Sequence, residues 1–156
     1  MNVNGKPYRT IWLKEEEPRT IQIIDQRNLP HEFKIENICS VTEMARAIKE
    51  MHVRGAGLIG AAAGFGMYLA TLEAEKSEDF ERSLQSSYET LKSTRPTAVN
   101  LVWALDRQID VIAAADRISE KIRIALESAQ QIADEDANFC QRIGEHGLEL
   151  IRTISQ

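Results

Sequence analysis

The feature that most constrains the fold of this chain is an uncharged, mostly apolar run from Gly57 to Leu72. A helix over about Gly57 to Ala74 has apolar side chains on all sides, and such a helix is stable when other elements surround it. The run is rich in small residues and shorter than the roughly 20 apolar residues of a membrane span. We therefore predict a buried core helix and no membrane partner, with Gly60 and Gly64 allowing a neighbouring helix or a ligand to come close.

The same run begins with a G-x-G-x-x-G pattern, formed by Gly55, Gly57 and Gly60. In a dinucleotide-binding loop, this pattern follows a strand, and an acidic residue ends the next strand about 20 positions further on. Here the preceding segment has helical spacing and starts with a capping box, Ser40 and Glu43. The acidic residues downstream lie in a polar stretch. We therefore expect neither a dinucleotide nor any other cofactor.

Strand-like runs precede this region, and turn-forming residues separate them. They are "YRTIWL", "TIQIIDQ" and "EFKIENI". This arrangement indicates a small antiparallel β-sheet within residues 1–39.

From Ser40 onward, apolar residues recur at helical spacing. Pro96 predicts the start of a fourth helix, since proline suits the first helical turn. The last helical pattern begins at Asp116, and a break in it is expected near Asp134. The predicted fold class is therefore α+β, with the small N-terminal antiparallel sheet followed by an α-helical bundle over residues 40–156.

The charge distribution excludes some partners. Charged residues make up 28% of the 156 residues, the net charge is −5, and no basic stripe is present, so we expect no nucleic-acid partner. Cys39 and Cys140 lack a C-x-x-C or histidine context, which indicates free thiols in a reducing, cytoplasmic compartment and no metal site. The histidines receive no catalytic role, because spacing places no nucleophile beside His31, His52 or His146.

Two arginines precede predicted helix starts: Arg54 stands before "GAG", and Arg95 stands before Pro96. A cation at the positive end of a helix dipole is unfavourable by up to about 1 kcal/mol unless an anion lies there. A phosphate would meet free backbone N–H groups and a bidentate guanidinium. The alternative is that each arginine pairs with a nearby carboxylate. The predicted phosphate-binding residues are Arg54, Gly55, Ala56, Arg95, Thr97 and Asn100.

Asp25 and Gln26 close an apolar strand before "RNLP" and allow two interpretations. They are either polar groups of a site or a turn that caps its own backbone. Spacing brings no nucleophile and base together anywhere in the chain. The residues alone therefore predict a phosphate-binding bundle without a complete active site.

Segments carry a family resemblance in their order and spacing: "IIDQRNLP", "AIKEMHVRGAGLIGAAAGFGMYLA", "STRPTAVNLVWALDR" and "DANFCQRIGEHGLELI". Together they closely resemble the N-terminal half of the S-methyl-5-thioribose-1-phosphate isomerases, the aldose–ketose isomerases of methionine salvage. The resemblance covers nearly the whole chain. "TRPTAVNL" and "IDQ-x-x-LP" are specific to these enzymes within a superfamily that includes ribose-1,5-bisphosphate isomerase and the regulatory subunits of translation initiation factor 2B.

The resemblance implies a metal-free, usually dimeric enzyme of two domains. The sheet and bundle would form its N-terminal domain, and a Rossmann-like C-terminal domain, absent from this chain, would pack against them. The phosphorylated sugar would lie in the cleft between the domains and be converted to S-methyl-5-thioribulose 1-phosphate. By resemblance, Arg54, Gly55, Ala56 and Arg95 are ligands of its phosphate and ribose. The family's catalytic cysteine and aspartate belong to the other domain, so we expect no catalytic residue here and no activity of the chain alone.

One residue departs from the family pattern. The family usually reads R-G-A-P, and Gly57 replaces the proline here, which gives the loop more backbone freedom. A rival interpretation is a non-catalytic regulatory or assembly subunit of the translation-initiation-factor-2B-like superfamily. The absent catalytic domain keeps this rival open, whereas "TRPTAVN" favours the isomerase.

Overall fold

The computed structural model describes residues 2–154. Short strands come first: β1 (Asn2–Val3), β2 (Lys6–Pro7), β3 (Ile11–Leu13), β4 (Ile21–Ile24) and β5 (Ile35–Ile38). Helices follow: α1 (Val41–Lys49), α2 (Ala56–Ala74), α3 (Phe80–Lys92), α4 (Val99–Ala113) and α5 (Ile118–Ile154). The predicted α+β class, a small antiparallel sheet followed by a helical bundle, is confirmed.

The main sheet consists of β3, β4 and β5 in antiparallel order. Ile21 and Ile23 of β4 are fully buried in the same core as the helices, whereas Gln22 between them lies on the other face. There the Gln22 side chain accepts a hydrogen bond from Trp12 Nε1 and donates one to Asn37 Oδ1, both of 2.9 Å. One face of the sheet therefore packs on the bundle, and the other carries a polar ladder.

A hairpin near the N-terminus was not predicted. Strands β1 and β2 pair through a turn at Asn4 and Gly5, whose φ angles are 51° and 79°. Two consecutive positive φ angles are typical of a type I′ turn, which Asn-Gly favours. The dipeptide was therefore the available signal, although the first predicted strand began only at Tyr8.

Helix α1 begins as its capping residues predict. Ser40 Oγ accepts a hydrogen bond from the Glu43 backbone N–H at 3.2 Å. The Glu43 carboxylate reaches back one residue further than in a standard capping box and accepts from the Cys39 N–H at 2.7 Å. The helix preceding the glycine pattern is thus confirmed, so no strand leads into it.

Helix α2 is the centre of the bundle and packs against α1, α3, α4 and α5. A Cβ atom at Gly60 would lie 3.2 Å from the Asn100 carbonyl oxygen of α4, and one at Gly64 would lie 3.4 Å from the Ala129 Cα of α5. The predicted close approach at these glycines is confirmed. Within residues 2–154, α2 is the one helix long and apolar enough to cross a membrane, and the protein buries most of it.

Helix α4 begins later than predicted. Its first residue is Val99, with Ala98 as the N-cap, instead of Pro96. The Ala98 N–H donates to the Arg95 carbonyl oxygen at 3.0 Å, so Pro96 and Thr97 lie at the centre of a turn. Proline's fixed φ suits the second position of such a turn as well as it suits a helix start.

Helix α5 is continuous from Ile118 to Ile154, so the suggested break near Asp134 was wrong. The acidic residues there are paired with cations of other elements: Asp134 with Arg9, and Glu135 with Arg107. Their charges are thereby offset on the helix surface, and no proline interrupts the backbone.

Candidate functional site

The N-terminal end of α2 forms one half of the predicted phosphate site. Gly55 is the N-cap and has a φ of 95°, a conformation that favours glycine. No side chain caps the first turn, so its N–H groups remain available to a ligand. Arg54 is exposed immediately before this turn, and its Nη2 donates to the Gln26 carbonyl oxygen at 3.2 Å.

The turn from Arg95 to Ala98 forms the other half. Because α4 begins only at Val99, Arg95 stands a full turn ahead of the helix and not beside its first residue. The dipole argument therefore applies to Arg54 and not to Arg95. The assignment of Arg95 to the site depends instead on the surface that it lines.

The two halves meet in one cleft of about 440 Å³, which we name the Arg95 cleft. Five of the six predicted ligand residues line it: Gly55, Ala56, Arg95, Thr97 and Asn100. Arg54 lines a neighbouring cleft of about 520 Å³, the Arg54 cleft, which shares Gly55 and Ala56 with the first. The fold thus gathers all six residues around the first turn of α2.

A third concave surface, the aromatic groove, adjoins both clefts and has a volume of about 340 Å³. Its walls include Trp103 and Phe139, which are 48% and 57% exposed. It shares Asn100 with the Arg95 cleft and Asp136 with the Arg54 cleft. The arginine-lined surfaces therefore continue into an apolar one.

Charge favours an anion at these clefts. Among residues 2–154, no carboxylate lies within 4.0 Å of the guanidinium of Arg54 or Arg95, so the carboxylate-pairing alternative finds no support in this range. Asp136 is the acidic residue shared by two of the surfaces. A Cβ atom at Gly57 would overlap its carboxylate, so the glycine at this position makes room for this acid.

Behind Arg54 lies a network of charged side chains that spacing did not reveal. Asp25 is fully buried, and its carboxylate accepts from Arg27 Nε and Nη2 and from the Arg27 backbone N–H. The hydrogen bonds from Arg27 lower the pKa of Asp25 to about 2, against the opposing effect of burial. The turn interpretation is thus confirmed for Asp25, whose carboxylate caps the Arg27 N–H, whereas Gln26 lines the Arg54 cleft.

His52, which sequence left without a role, belongs to this network. It is 3% exposed, its Nδ1 lies 2.6 Å from Glu36 Oε2, and its Nε2 lies 3.3 Å from Glu50 Oε2. Each ring nitrogen of His52 thus faces the carboxylate of a different acidic residue.

Asp25, Glu36 and His52 bring donor atoms within 4.8 Å of one another, a spacing that a metal ion could use. However, Arg27 already occupies both Asp25 oxygens, and carboxylates already face both His52 nitrogens. We therefore interpret the cluster as an ion-pair network.

The residues that sequence reasoning missed come from distant parts of the chain. The Arg54 cleft takes Tyr8 and Arg9 from the N-terminal segment, and the aromatic groove takes Phe139 from α5. No local motif marks these residues, because only the packing of α5 and the sheet against α2 brings them to the site.

Comparison with known proteins relates this chain to a family. A sequence model of the Initiation factor 2 subunit family matches residues 52–155. The chain is 45% identical over 151 residues to a methylthioribose-1-phosphate isomerase of Paramagnetospirillum magneticum, covering 97% of this chain and 40% of that protein. The chain thus spans about 40% of the length of such curated relatives.

Two solved structures share the fold. The 5-methylthioribose 1-phosphate isomerase of Pyrococcus horikoshii matches with a TM-score of 0.81 and 44% identity, over 92% of this chain and 41% of that one. Subunit delta of the translation initiation factor eIF-2B from A. fulgidus matches with a TM-score of 0.82 and 33% identity, over 92% and 42%. The two are equally similar in fold, and the isomerase is more similar in sequence.

Proposed function

The chain belongs to the initiation factor 2 subunit family, and from this premise we propose that it supplies the N-terminal region of a methylthioribose-1-phosphate isomerase. In this role it binds the phosphate of the sugar. The observation that carries the proposal is the meeting of the Arg95 turn with the uncapped first turn of α2 in one cleft. The name shared by the isomerase relatives indicates which phosphate would lie there.

Each side of the cleft has a role in this proposal. The Arg95 guanidinium neutralises the phosphate, and Thr97 and Asn100 donate neutral hydrogen bonds. The N–H groups that follow Gly55 bind its oxygens at the positive end of the α2 dipole. Arg54 reaches the ribose and phosphate from the adjacent cleft. The phosphate stays on C1 in both the aldose and the ketose, so this contact lowers KM more than it raises kcat.

The chemical step requires groups beyond those assigned here. The isomerisation moves a hydrogen from C2 to C1, the bond between C1 and the ring oxygen breaks, and the C2 hydroxyl becomes a carbonyl group as the ring oxygen gains a proton in place of the one that the hydroxyl loses. Because the chain spans about 40% of the isomerases' length, we propose that the remaining part supplies the acid and the base. We expect no turnover by the 156-residue chain alone, and we propose a homodimer for the full-length enzyme.

The exposed apolar side chains beside the clefts support a second domain. Val99, Trp103 and Phe139 all line the aromatic groove, and all are exposed. Exposed apolar patches next to a ligand cleft typically mark an interaction surface. In this proposal the rest of the enzyme covers the groove and closes the cleft from solvent.

Calorimetric titration of the chain with methylthioribose 1-phosphate tests the phosphate site. Arg95→Ala removes a charge-assisted hydrogen bond of roughly 1.5 to 3 kcal/mol, so we expect affinity to fall ten-fold or more while Tm barely changes. Arg82→Ala, on α3, removes an exposed charge outside these clefts and is the matched control. A lower Tm with unchanged affinity in Arg95→Ala would make Arg95 structural and remove the proposal's main support.

A second candidate is a regulatory or assembly subunit that performs no isomerisation. The observation that favours it is the fold similarity to the A. fulgidus protein, whose TM-score equals that of the isomerase within 0.01. This candidate predicts no saturable binding of methylthioribose 1-phosphate. The same titration therefore separates the two functions.

A further inference from the structure

We propose that two short segments, Asp25–Arg27 and His52–Arg54, form a clasp that holds the Arg54 guanidinium at the phosphate site. In this view Asp25 and His52 are positioning residues that act through Arg54. The inference rests on the proposed function of Arg54. It also gives a role to the "IDQ" motif, which the proposed phosphate site does not otherwise use.

The two segments are joined through the backbone of Gln26. Its N–H donates to the His52 carbonyl oxygen at 2.8 Å, and its carbonyl oxygen accepts from Arg54 Nη2 at 3.2 Å. The backbone of Gln26 therefore positions both His52, where the second segment starts, and the guanidinium of Arg54. A displacement of Gln26 would carry the guanidinium with it.

Gln26 is itself held by the residues on either side. The side chain of Arg27 bridges over it to the Asp25 carboxylate, with Nη2 2.7 Å from Oδ2 and Nε 3.0 Å from Oδ1 and 3.3 Å from Oδ2. The Arg27 backbone N–H also donates to Asp25 Oδ1 at 3.1 Å. Asp25 is fully buried, so water reaches these bonds only from the side of the partly exposed Arg27. This geometry fixes the turn from which the Gln26 carbonyl group projects.

The second segment is fixed by the His52 ring. Glu36 of β5 holds one ring nitrogen and Glu50, which follows α1, holds the other. Arginine side chains face the same carboxylates, with Arg46 3.9 Å from Glu36 and Arg27 3.8 Å from Glu50. The clasp therefore ties the sheet, the end of α1 and the start of α2 to one another beside the site.

The other arginine of the site has no such support. Over residues 2–154, the Arg95 side chain has neither a hydrogen bond nor an ion pair, whereas Arg54 has its bond to Gln26. A side chain already ordered in the free protein loses less rotamer freedom on binding. Arg54 is thus the pre-organised ligand of the pair, and the clasp is the cause.

The ligand-free protein provides a test that does not depend on the proposed function. The heteronuclear NOE of the Arg54 Nε–Hε group reports whether the side chain is ordered on the picosecond-to-nanosecond timescale. We expect an ordered value in the wild type and a clear fall in Asp25→Asn, which removes the charge that binds Arg27. Tyr68→Phe, which removes the 2.6 Å bond to the Pro18 carbonyl oxygen far from the clasp, should leave the value unchanged.

If Asp25→Asn does not fold, Glu36→Gln takes its place, because Glu36 is partly exposed and lies further from the turn. An unchanged Arg54 NOE in a folded Asp25→Asn or Glu36→Gln protein overturns the clasp.

A double-mutant cycle then tests the link to binding, with methylthioribose 1-phosphate as the probe. Arg54→Ala should weaken affinity ten-fold or more in the wild type but less than three-fold in the Asp25→Asn background, where Arg54 is already released. Additive losses would refute the positioning role. If Arg54→Ala leaves wild-type affinity unchanged, the proposed function of Arg54 fails, and the NMR result still decides whether the clasp exists.

Discussion

Two helices of this protein, α2 and the distal part of α5, carry many apolar residues but differ in what covers those residues. Other helices of the chain surround α2, and three of its large apolar side chains, Phe65, Met67 and Leu69, are at most 1% exposed. The distal part of α5, residues 138–154, has its large apolar side chains exposed: Phe139, Ile143, Leu148, Leu150, Ile151 and Ile154.

The contrast distinguishes apolar side chains that stabilise the fold from apolar side chains that remain at the surface. Other helices of the same chain pack around α2, so burial of its apolar side chains on folding explains its composition. Among residues 2–154, nothing comparable covers the distal part of α5, and this surface begins at Phe139 in the wall of the aromatic groove. The uncovered apolar surface therefore starts at the candidate site, where the proposed function places a second domain.

The same substitution in both helices measures this difference. Phe65→Ala should lower the free energy of unfolding by about 3–5 kcal/mol, because it removes a buried ring from a closely packed core. Phe139→Ala should change it by less than about 0.5 kcal/mol, because the ring is already mostly in water. Urea unfolding of the two variants checks both values. A loss of more than about 2 kcal/mol in Phe139→Ala would mean that the distal part of α5 belongs to the core.

The parts of the fold that were predictable from the sequence are those that depend on local patterns. The buried α2, the antiparallel sheet and the Ser40 cap follow from local patterns, and the structure confirms them. The start of α4 did not follow, because proline suits both a helix start and a turn, and only the contact between Ala98 and Arg95 distinguishes them. The expected break near Asp134 was wrong because the cations that pair with the acidic residues come from distant elements.

The binding role of the six proposed ligands stays a prediction, but their position near one another was predictable. Sequence alone selected six residues that the fold gathers around one helical turn. It did not identify the clasp, because Glu36 and His52 belong to different elements and no local spacing relates them. Nor did it identify Asp136, whose relation to Gly57 exists only when α5 packs against α2. Local sequence patterns thus predicted the candidate residues in the loops, whereas the residues around them are determined by long-range packing.

Buried and exposed charged groups of this protein also differ in what they contribute to stability. Bonding to Arg27 depresses the pKa of Asp25 to about 2 in the folded state, below its value in an unfolded chain. A depressed carboxyl pKa stabilises the fold above about pH 4, and this stabilisation is lost as the pH falls towards 2. Its size is about 2 kcal/mol at most, because Arg27 is partly exposed.

We therefore expect the stability difference between the wild type and Asp25→Asn to shrink by about 1–2 kcal/mol between pH 6 and pH 2. Urea unfolding at several pH values measures it. Glu145→Gln, on the exposed distal part of α5, should differ from the wild type by less than about 0.5 kcal/mol throughout. An Asp25→Asn difference that does not depend on pH would mean that the carboxylate contributes through shape and not through charge.

The smallest expected effect comes from a methyl group added to each helix. Gly→Ala in a helix interior gains roughly 0.8–1 kcal/mol from backbone entropy. At Gly147 the new Cβ would meet nothing within 4 Å, so this gain should appear in full. At Gly60 it would lie 3.2 Å from the Asn100 carbonyl oxygen, and this backbone atom can retreat only if the start of α4 moves. We therefore expect Gly60→Ala to lower the free energy of unfolding by about 1 kcal/mol.

The two variants should also differ in where their effects appear. A helix segment whose side chains are mostly exposed opens locally without global unfolding. Gly147→Ala should therefore slow amide hydrogen exchange about four-fold in residues 138–154 and leave the urea midpoint unchanged, since 0.8 kcal/mol corresponds to about that factor. Gly60→Ala should move the midpoint instead, because α2 unfolds only with the whole bundle. If Gly147→Ala raised the urea midpoint, the distal part of α5 would be folding cooperatively with the core, and its exposed apolar side chains could no longer be treated as a separate, uncovered surface.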